Sequence, residues 1–208
     1  MHIADGVLPP TVTIAGYALT VAGVAWSLRQ VRTEELPKIA VVTSSFFVAS
    51  LVHLPLGPTS VHLLLPGMVG VLLGPVAFLA ITLGLFLQAV LFQFGGLTAL
   101  GANALMMGLP ALVCGLVFRL LRGRSQRSHT VAGGVAGGLG TLLSAVIMAV
   151  LLFTAGEDFL GVARLALLAH LPVIGIEAVV SAFIVSFLFR VKPELLRTTP
   201  FLIHDRQS

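Results

Sequence analysis

The sequence predicts an all-α, polytopic membrane protein, a bundle of about seven transmembrane helices with its N-terminus outside and its C-terminus cytoplasmic. Three observations predict it. Apolar residues make up 57% of the 208 and charged ones only 10%, against about one-quarter charged in a soluble domain. Glycine, proline and charge divide the chain into seven apolar runs, Thr11–Leu28, Ile39–Val52, Val61–Leu73, Val76–Phe92, Ala102–Leu121, Val131–Phe153 and Leu171–Phe189. The basic residues between them fall almost entirely on one side of a seven-pass threading. At ~20 residues per span these crossings fill the chain, so residues 1–208 read as one transmembrane domain with no room for a soluble one.

The first run begins near Leu8, where a cleaved secretory signal has to be weighed. The opening Met-His-Ile-Ala-Asp-Gly carries an acid and no Lys or Arg, whereas such signals start positively charged, so the N-terminus is expected to be retained. Pro37 marks the break before the second run and the stretch Leu54 to Pro58 the break before the third. Both runs are short for a span, which predicts tilt, extension by coil or shelter from neighbours. Gly74-Pro75 opens the fourth run and Gly95-Gly96 follows it. The fifth holds Cys114, the one cysteine, which excludes an intramolecular disulfide and reads as a small buried hydrophobe. In the sixth, Gly133-Gly134 and Gly137-Gly138 give small-xxx-small spacings, as Ala18 and Ala22 do in the first. Both favour close helix approach inside the bundle. Gly156 and Pro172 mark breaks before the seventh, where Glu177 costs ~3 kcal/mol to insert and is expected to pair with a polar group.

With the N-terminus outside, Arg29, Arg32, Lys38, Arg119, Arg122, Arg124, Arg127, Arg190, Lys192, Arg197 and Arg206 fall inside and only Arg164 outside. That threading gathers His2, His53 and His62 on the outer face. His129 lies beside an inner basic loop, His204 in the polar tail and His170 near the outer interface, where solvated or interfacial roles explain them. The formal charge of +4 comes with no basic stripe interleaved with aromatics, so no nucleic-acid partner is expected. The sequence has no Gly-x-x-x-x-Gly-Lys phosphate loop, so any ATP-driven activity needs another chain's nucleotide site. It has no Gly-x-Ser-x-Gly elbow or His-Glu-x-x-His helix either. An enzyme, a catalytic residue or a resident cofactor is not expected.

Met-His at a retained N-terminus is a chelator by covalent geometry. The α-amine and the deprotonated His2 amide close a five-membered ring on a metal, and amide plus imidazole close a six-membered one. Three nitrogens in a plane favour ions that accept tetragonal nitrogen coordination, such as Ni(II), Cu(II) or low-spin Co(II). A fourth in-plane donor is needed, and His62, just past the outer linker Gly57-Pro58-Thr59-Ser60, is the best placed. His53, Ser60 and Asn103 are candidates for an additional ligand or for support of the ligands. Glu177 is not placed at the metal.

These residues resemble the CbiM/NikM family, the substrate-capture (S component) subunits of energy-coupling factor transporters for cobalt and nickel. Met1-His2-Ile3-Ala4-Asp5-Gly6, Thr59-Ser60-Val61-His62-Leu63 and the stretch from Gln88 to Asn103 carry the resemblance. The linker departs from the commoner Gly-Gly-Thr-Ser-Gly-His form, with Gly57-Pro58-Thr59-Ser60-Val61-His62 in its place. The resemblance implies a metal held by the Met1 amine, the His2 amide and imidazole, and the His62 imidazole, with the N-terminus inserted into the bundle of an inner, multi-pass cell-membrane protein. It also implies work with a transmembrane coupling subunit and ABC ATPases, often with a small accessory membrane protein. The cargo is Co(II) or Ni(II). The alternative is a self-sufficient secondary divalent-metal permease, which needs a polar pathway across the bilayer, with Glu177, Gln88, Gln93 and Asn103 available to line it.

Overall fold

The structure, a computed structural model, describes residues 2–51, 53–56, 59–156 and 159–197, and only the backbone of 53–56, 59–62 and 160. Among the described residues α1 (Pro10–Leu28), α2 (Leu36–Ala49), α3 (Pro66–Leu73), α4 (Ala77–Phe92), α5 (Leu100–Leu121), α6 (Gln126–Thr154) and α7 (Leu160–Val191) build the bundle. Five helical stretches, Pro10–Leu28, Pro66–Phe92, Leu100–Leu121, Gln126–Thr154 and Gly161–Val191, are long and apolar enough to cross a membrane. Their outward faces carry Leu19, Val21, Leu165, Leu168, Phe183 and Phe187, all more than half exposed. An apolar belt of that extent belongs against lipid, and the chain is a multi-pass membrane protein.

Pro66–Phe92 is two helices, not one long span. α3 runs alongside α5 in the same sense, with Gly70 against Ala111 and Gly74 against Gly115. At Gly74, where φ is +55°, the chain turns through the 3-10 segment Gly74–Val76. The Ser27 hydroxyl from the end of α1 donates to the Pro75 carbonyl at 2.9 Å and marks this end of the bundle. α4 then returns past Gly23 and Gly108, which both meet Phe78, toward the N-terminal segment.

Two sequence expectations need correction. The third run does not become helical at Val61. His53–Leu56 (β1) and Thr59–His62 (β2) instead form an antiparallel hairpin in which His53 pairs with His62, Leu54 with Val61, Pro55 with Ser60 and Leu56 with Thr59. Pro55 and Pro58 disfavour a helix here by removing backbone donors. Helix α3 waits for Pro66, whose fixed φ suits the first helical turn, after Leu65 in a left-handed conformation at φ 49°. The second correction concerns Pro172, which does not break the last helix but sits inside α7. Membrane helices tolerate such prolines, and α7 runs through it unbroken from Leu160 to Val191.

Glycine governs how closely the helices meet. Gly133 of α6 faces Val185, Gly137 faces Ser181 and the Glu177 carbonyl, and Gly138 faces Ile174 and Ala178, so α6 lies nearly backbone to backbone on α7. The small-residue spacing in α6 therefore serves internal packing, as expected. The spacing in α1 does not: Ala18 and Ala22 are exposed, while Gly16, Thr20 and Ser27 turn inward. Cys114 is buried as a small hydrophobe. The basic residues collect at the ends of α1, α5 and α7 and the starts of α2 and α6. There Lys38 Nζ donates to the Arg197 carbonyl at 3.5 Å and Arg122 to that of Leu196 at 2.6 Å. The N-terminal segment sits at the other end of the bundle, as does Arg164, near the start of α7. His204 and Arg206 lie outside the described residues.

Gly70→Val tests the tight α3–α5 contact, because its Cβ would collide with the Ala111 carbonyl. Thermal unfolding in detergent should show a loss of about 1–3 kcal/mol, the range for overpacking, and an unchanged midpoint would contradict this packing.

Candidate functional site

The second residue of the chain is held by helices from far along it. His2 Nε2 lies 2.8 Å from Gln88 Oε1 on α4. The Gln88 amide in turn donates to the Ser50 hydroxyl at 2.7 Å, and Ser50 donates to the Phe47 carbonyl at 2.6 Å. This chain has one consistent direction. Gln88, fully buried, spends its NH₂ on Ser50 and offers its oxygen to His2, so Nε2 carries the imidazole proton and Nδ1 the lone pair. Nδ1 is the nitrogen that closes a six-membered chelate with the residue's own amide. The arrangement therefore selects the tautomer that an N-terminal chelate needs, as metal-ligating histidines commonly require of a second hydrogen bond.

Burial pushes the His2 imidazole down to about 3, against an ordinary 6.5, with the Gln88 bond opposing the shift. The ring is neutral throughout the physiological range and has no proton to shed before meeting a cation.

The next residues lock this position. Asn103 of α5 accepts from the Ile3 amide at 2.9 Å and donates to the Ile3 carbonyl at 3.0 Å, pairing with the backbone as a strand would. Both residues are buried. One Asp5 carboxylate oxygen accepts from the Thr98 amide at 2.8 Å, the Thr98 hydroxyl at 2.6 Å and the Ala99 amide at 3.3 Å. The Thr98 hydroxyl above all holds the Asp5 carboxyl below its usual range. Gly95 and Gly96, at φ +77° and +80°, bring the loop against His2 and Asp5, and a Cβ at Gly96 would strike the Asp5 carboxylate. The Phe94 ring stands 6.2 Å from that of His2.

Of the residues singled out from sequence, His2 and Asn103 come together, with Asn103 holding the segment at Ile3. Met1 and the side chains of His53, Ser60 and His62 lie outside the described residues. Their backbone places them on the hairpin, where His53 and His62 are cross-strand partners with Cα atoms about 4.5–5.5 Å apart. Because Ser50 belongs to the His2 chain of bonds and His53 follows it by three residues, β1 starts within roughly 11 Å of that chain. Glu177 does pair with polar groups, the backbone amides of Leu64 and Leu65. His129 packs on Phe189 with ring centroids 4.6 Å apart, and His170 serves the α7 backbone. Sequence reasoning missed Ser50 and the Asp5 clamp. Gln88 enters from the sequence as the start of the family-like stretch and as a possible pathway lining, not as the partner of His2.

A family model described as the cobalt uptake substrate-specific transmembrane region matches residues 2–195. A Haemophilus influenzae protein assigned by inference to metal transport is 36% identical over 206 residues, covering 96% of this chain and 98% of its own. The cobalt transport protein CbiM of Sorangium cellulosum is 32% identical over 213 residues, with 94% of each chain covered. A crystal structure described as a truncated transition metal transporter superposes with a TM-score of 0.73 at 27% identity, covering 91% of this chain and 98% of that one.

The depressed His2 value makes docking of the N-terminus pH-dependent. Freed from its pocket, the imidazole takes a proton near 6.5, whereas docked it does so only near 3. The contribution is fully present above 6.5 and is lost progressively as the pH falls toward 3. An NMR titration of the metal-free protein should find the His2 ring neutral from pH 8 to about 5. A midpoint near the ordinary value would place the ring in water instead.

Proposed function

The chain belongs to the cobalt uptake substrate-specific transmembrane family, membrane proteins of cobalt and nickel uptake, and from that premise we propose that it is the substrate-capture subunit of an energy-coupling factor transporter. It binds Co(II) or Ni(II) through the Met1 amine, the His2 amide and imidazole, and the His62 imidazole. The bond from His2 to Gln88 carries the proposal, because it fixes the ring nitrogen that the chelate uses. Asn103 and Asp5 supply the rigidity: once the chain is pinned at residues 3 and 5, the adjoining His2 meets a cation already ordered, and less entropy is lost on binding. Among the described residues no group of three His, Cys, Asp or Glu side chains offers a competing metal site.

Binding proceeds with loss of the amide proton and of the proton on the α-amine, whose ordinary pKa is ~8, so affinity falls on acidification. The N-terminal segment and the cationic helix ends lie at opposite ends of the bundle. By the positive-inside rule this puts the segment on the outer face, where metal is captured. Release to the interior is driven by ATP hydrolysis in partner ATPases through a transmembrane coupling subunit, since the sequence has no phosphate loop of its own.

Isothermal titration of the full chain with Ni(II) or Co(II), comparing the native N-terminus with one acetylated or extended by one residue, tests the chelate. Loss of high-affinity binding in the blocked forms is expected, and equal affinity would refute the proposal. Gln88→Leu removes the group that sets the tautomer and should lower affinity about 10-fold to 100-fold while leaving the protein folded by circular dichroism.

A further inference from the structure

We propose that Glu177 is a positioning residue for the metal site, holding from α7 the chain that leads out of the His62 strand. The proposal rests on the reading of His62 as a donor.

β2 ends at His62 and α3 begins at Pro66, so the amides of Leu64 and Leu65 belong to neither a ladder nor a helix. Leu64 is 1% exposed, and a buried amide without an acceptor is costly, more so in a bilayer. Glu177 answers both amides. Its Oε1 accepts from Leu64 N and, at 2.9 Å, from Leu65 N, while Oε2 accepts from Leu65 N at 3.0 Å. The carboxylate also lies at the N-terminal end of α3, where the helix dipole favours negative charge.

The grip is short and its base is rigid. Leu64 follows His62 by two residues, at most about 7 Å of extended chain. At the other end, the Glu177 backbone is wedged against α6, where a Cβ at Gly137 would meet its carbonyl at 2.6 Å. Glu177 itself is 0% exposed and has no room to swing. The height and direction of the chain leaving the hairpin are thus set by a side chain 115 positions beyond His62.

A role confined to amide satisfaction would weaken the fold in every background. A positioning role acts through His62 and disappears with it. A double-mutant cycle on the full chain in detergent separates the two, reading Ni(II) affinity by isothermal titration for Glu177→Ala, Glu177→Gln, His62→Ala and the pairs. Glu177→Ala should cost about 10-fold to 100-fold with His62 present and nothing further in His62→Ala, and Glu177→Gln, which keeps an acceptor oxygen, should recover most of the loss. Equal costs in both backgrounds, or unchanged affinity in Glu177→Ala with His62 present, overturn the proposal. If His62→Ala alone leaves affinity unchanged, the donor assignment fails and the positioning role with it. Where Glu177→Ala does not fold, Glu177→Gln carries the cycle through the ligand-field absorption of bound Ni(II). Any shift should be small with His62 present, as the retained acceptor requires, and absent in His62→Ala; a shift of equal size in both backgrounds overturns the proposal.

Discussion

A peptide group at the depth of a bilayer finds no water to bond, so chain that is neither helix nor closed sheet survives there only where protein supplies its partners. Two irregular segments of this protein meet that condition in the same way, through one side chain from a distant helix. Asn103 closes on both backbone groups of Ile3, and the Glu177 carboxylate takes the amides of Leu64 and Leu65. These two attachments let the first residues and the hairpin leave helical geometry. The same segments carry the donors proposed for the metal.

Around them the bundle is arranged for close approach. Glycines at 67, 70, 137 and 140 leave α3 only eight residues long yet enclosed by α5 and α6 on backbone contacts. A larger residue at those positions would push α3 outward and shift Leu64 away from Glu177. Packing in the core and the path of the chain leaving the hairpin are therefore linked through the start of α3.

Much of this was legible in the sequence where the signal is one of composition or local spacing. Long apolar runs became α1, α4, α5 and α6, and the paired glycines of α6 met a neighbouring helix. The chelating potential of Met-His follows from covalent bonds alone and needs no tertiary structure. What stayed hidden depends on contacts between distant residues or on ambiguous patterns. Leu63, Leu64 and Leu65 are as apolar as a helix, and nothing local says that they are extended, so the apolar run starts at Val61, five residues before α3 does. Pro172 reads as a break by local rules, yet a membrane helix passes through it. Gln88 and Glu177 stand out as polar residues in apolar runs, but their partners lie 86 and about 112 positions away, beyond any periodicity.

The carboxylate that closes on the start of α3 comes from the last helix of the bundle. During synthesis the first six helices enter the bilayer before it exists, and until then the peptide groups of Leu64 and Leu65 lack their native acceptor. Completion of the bundle by α7 is thus what settles the path of the chain between the hairpin and α3.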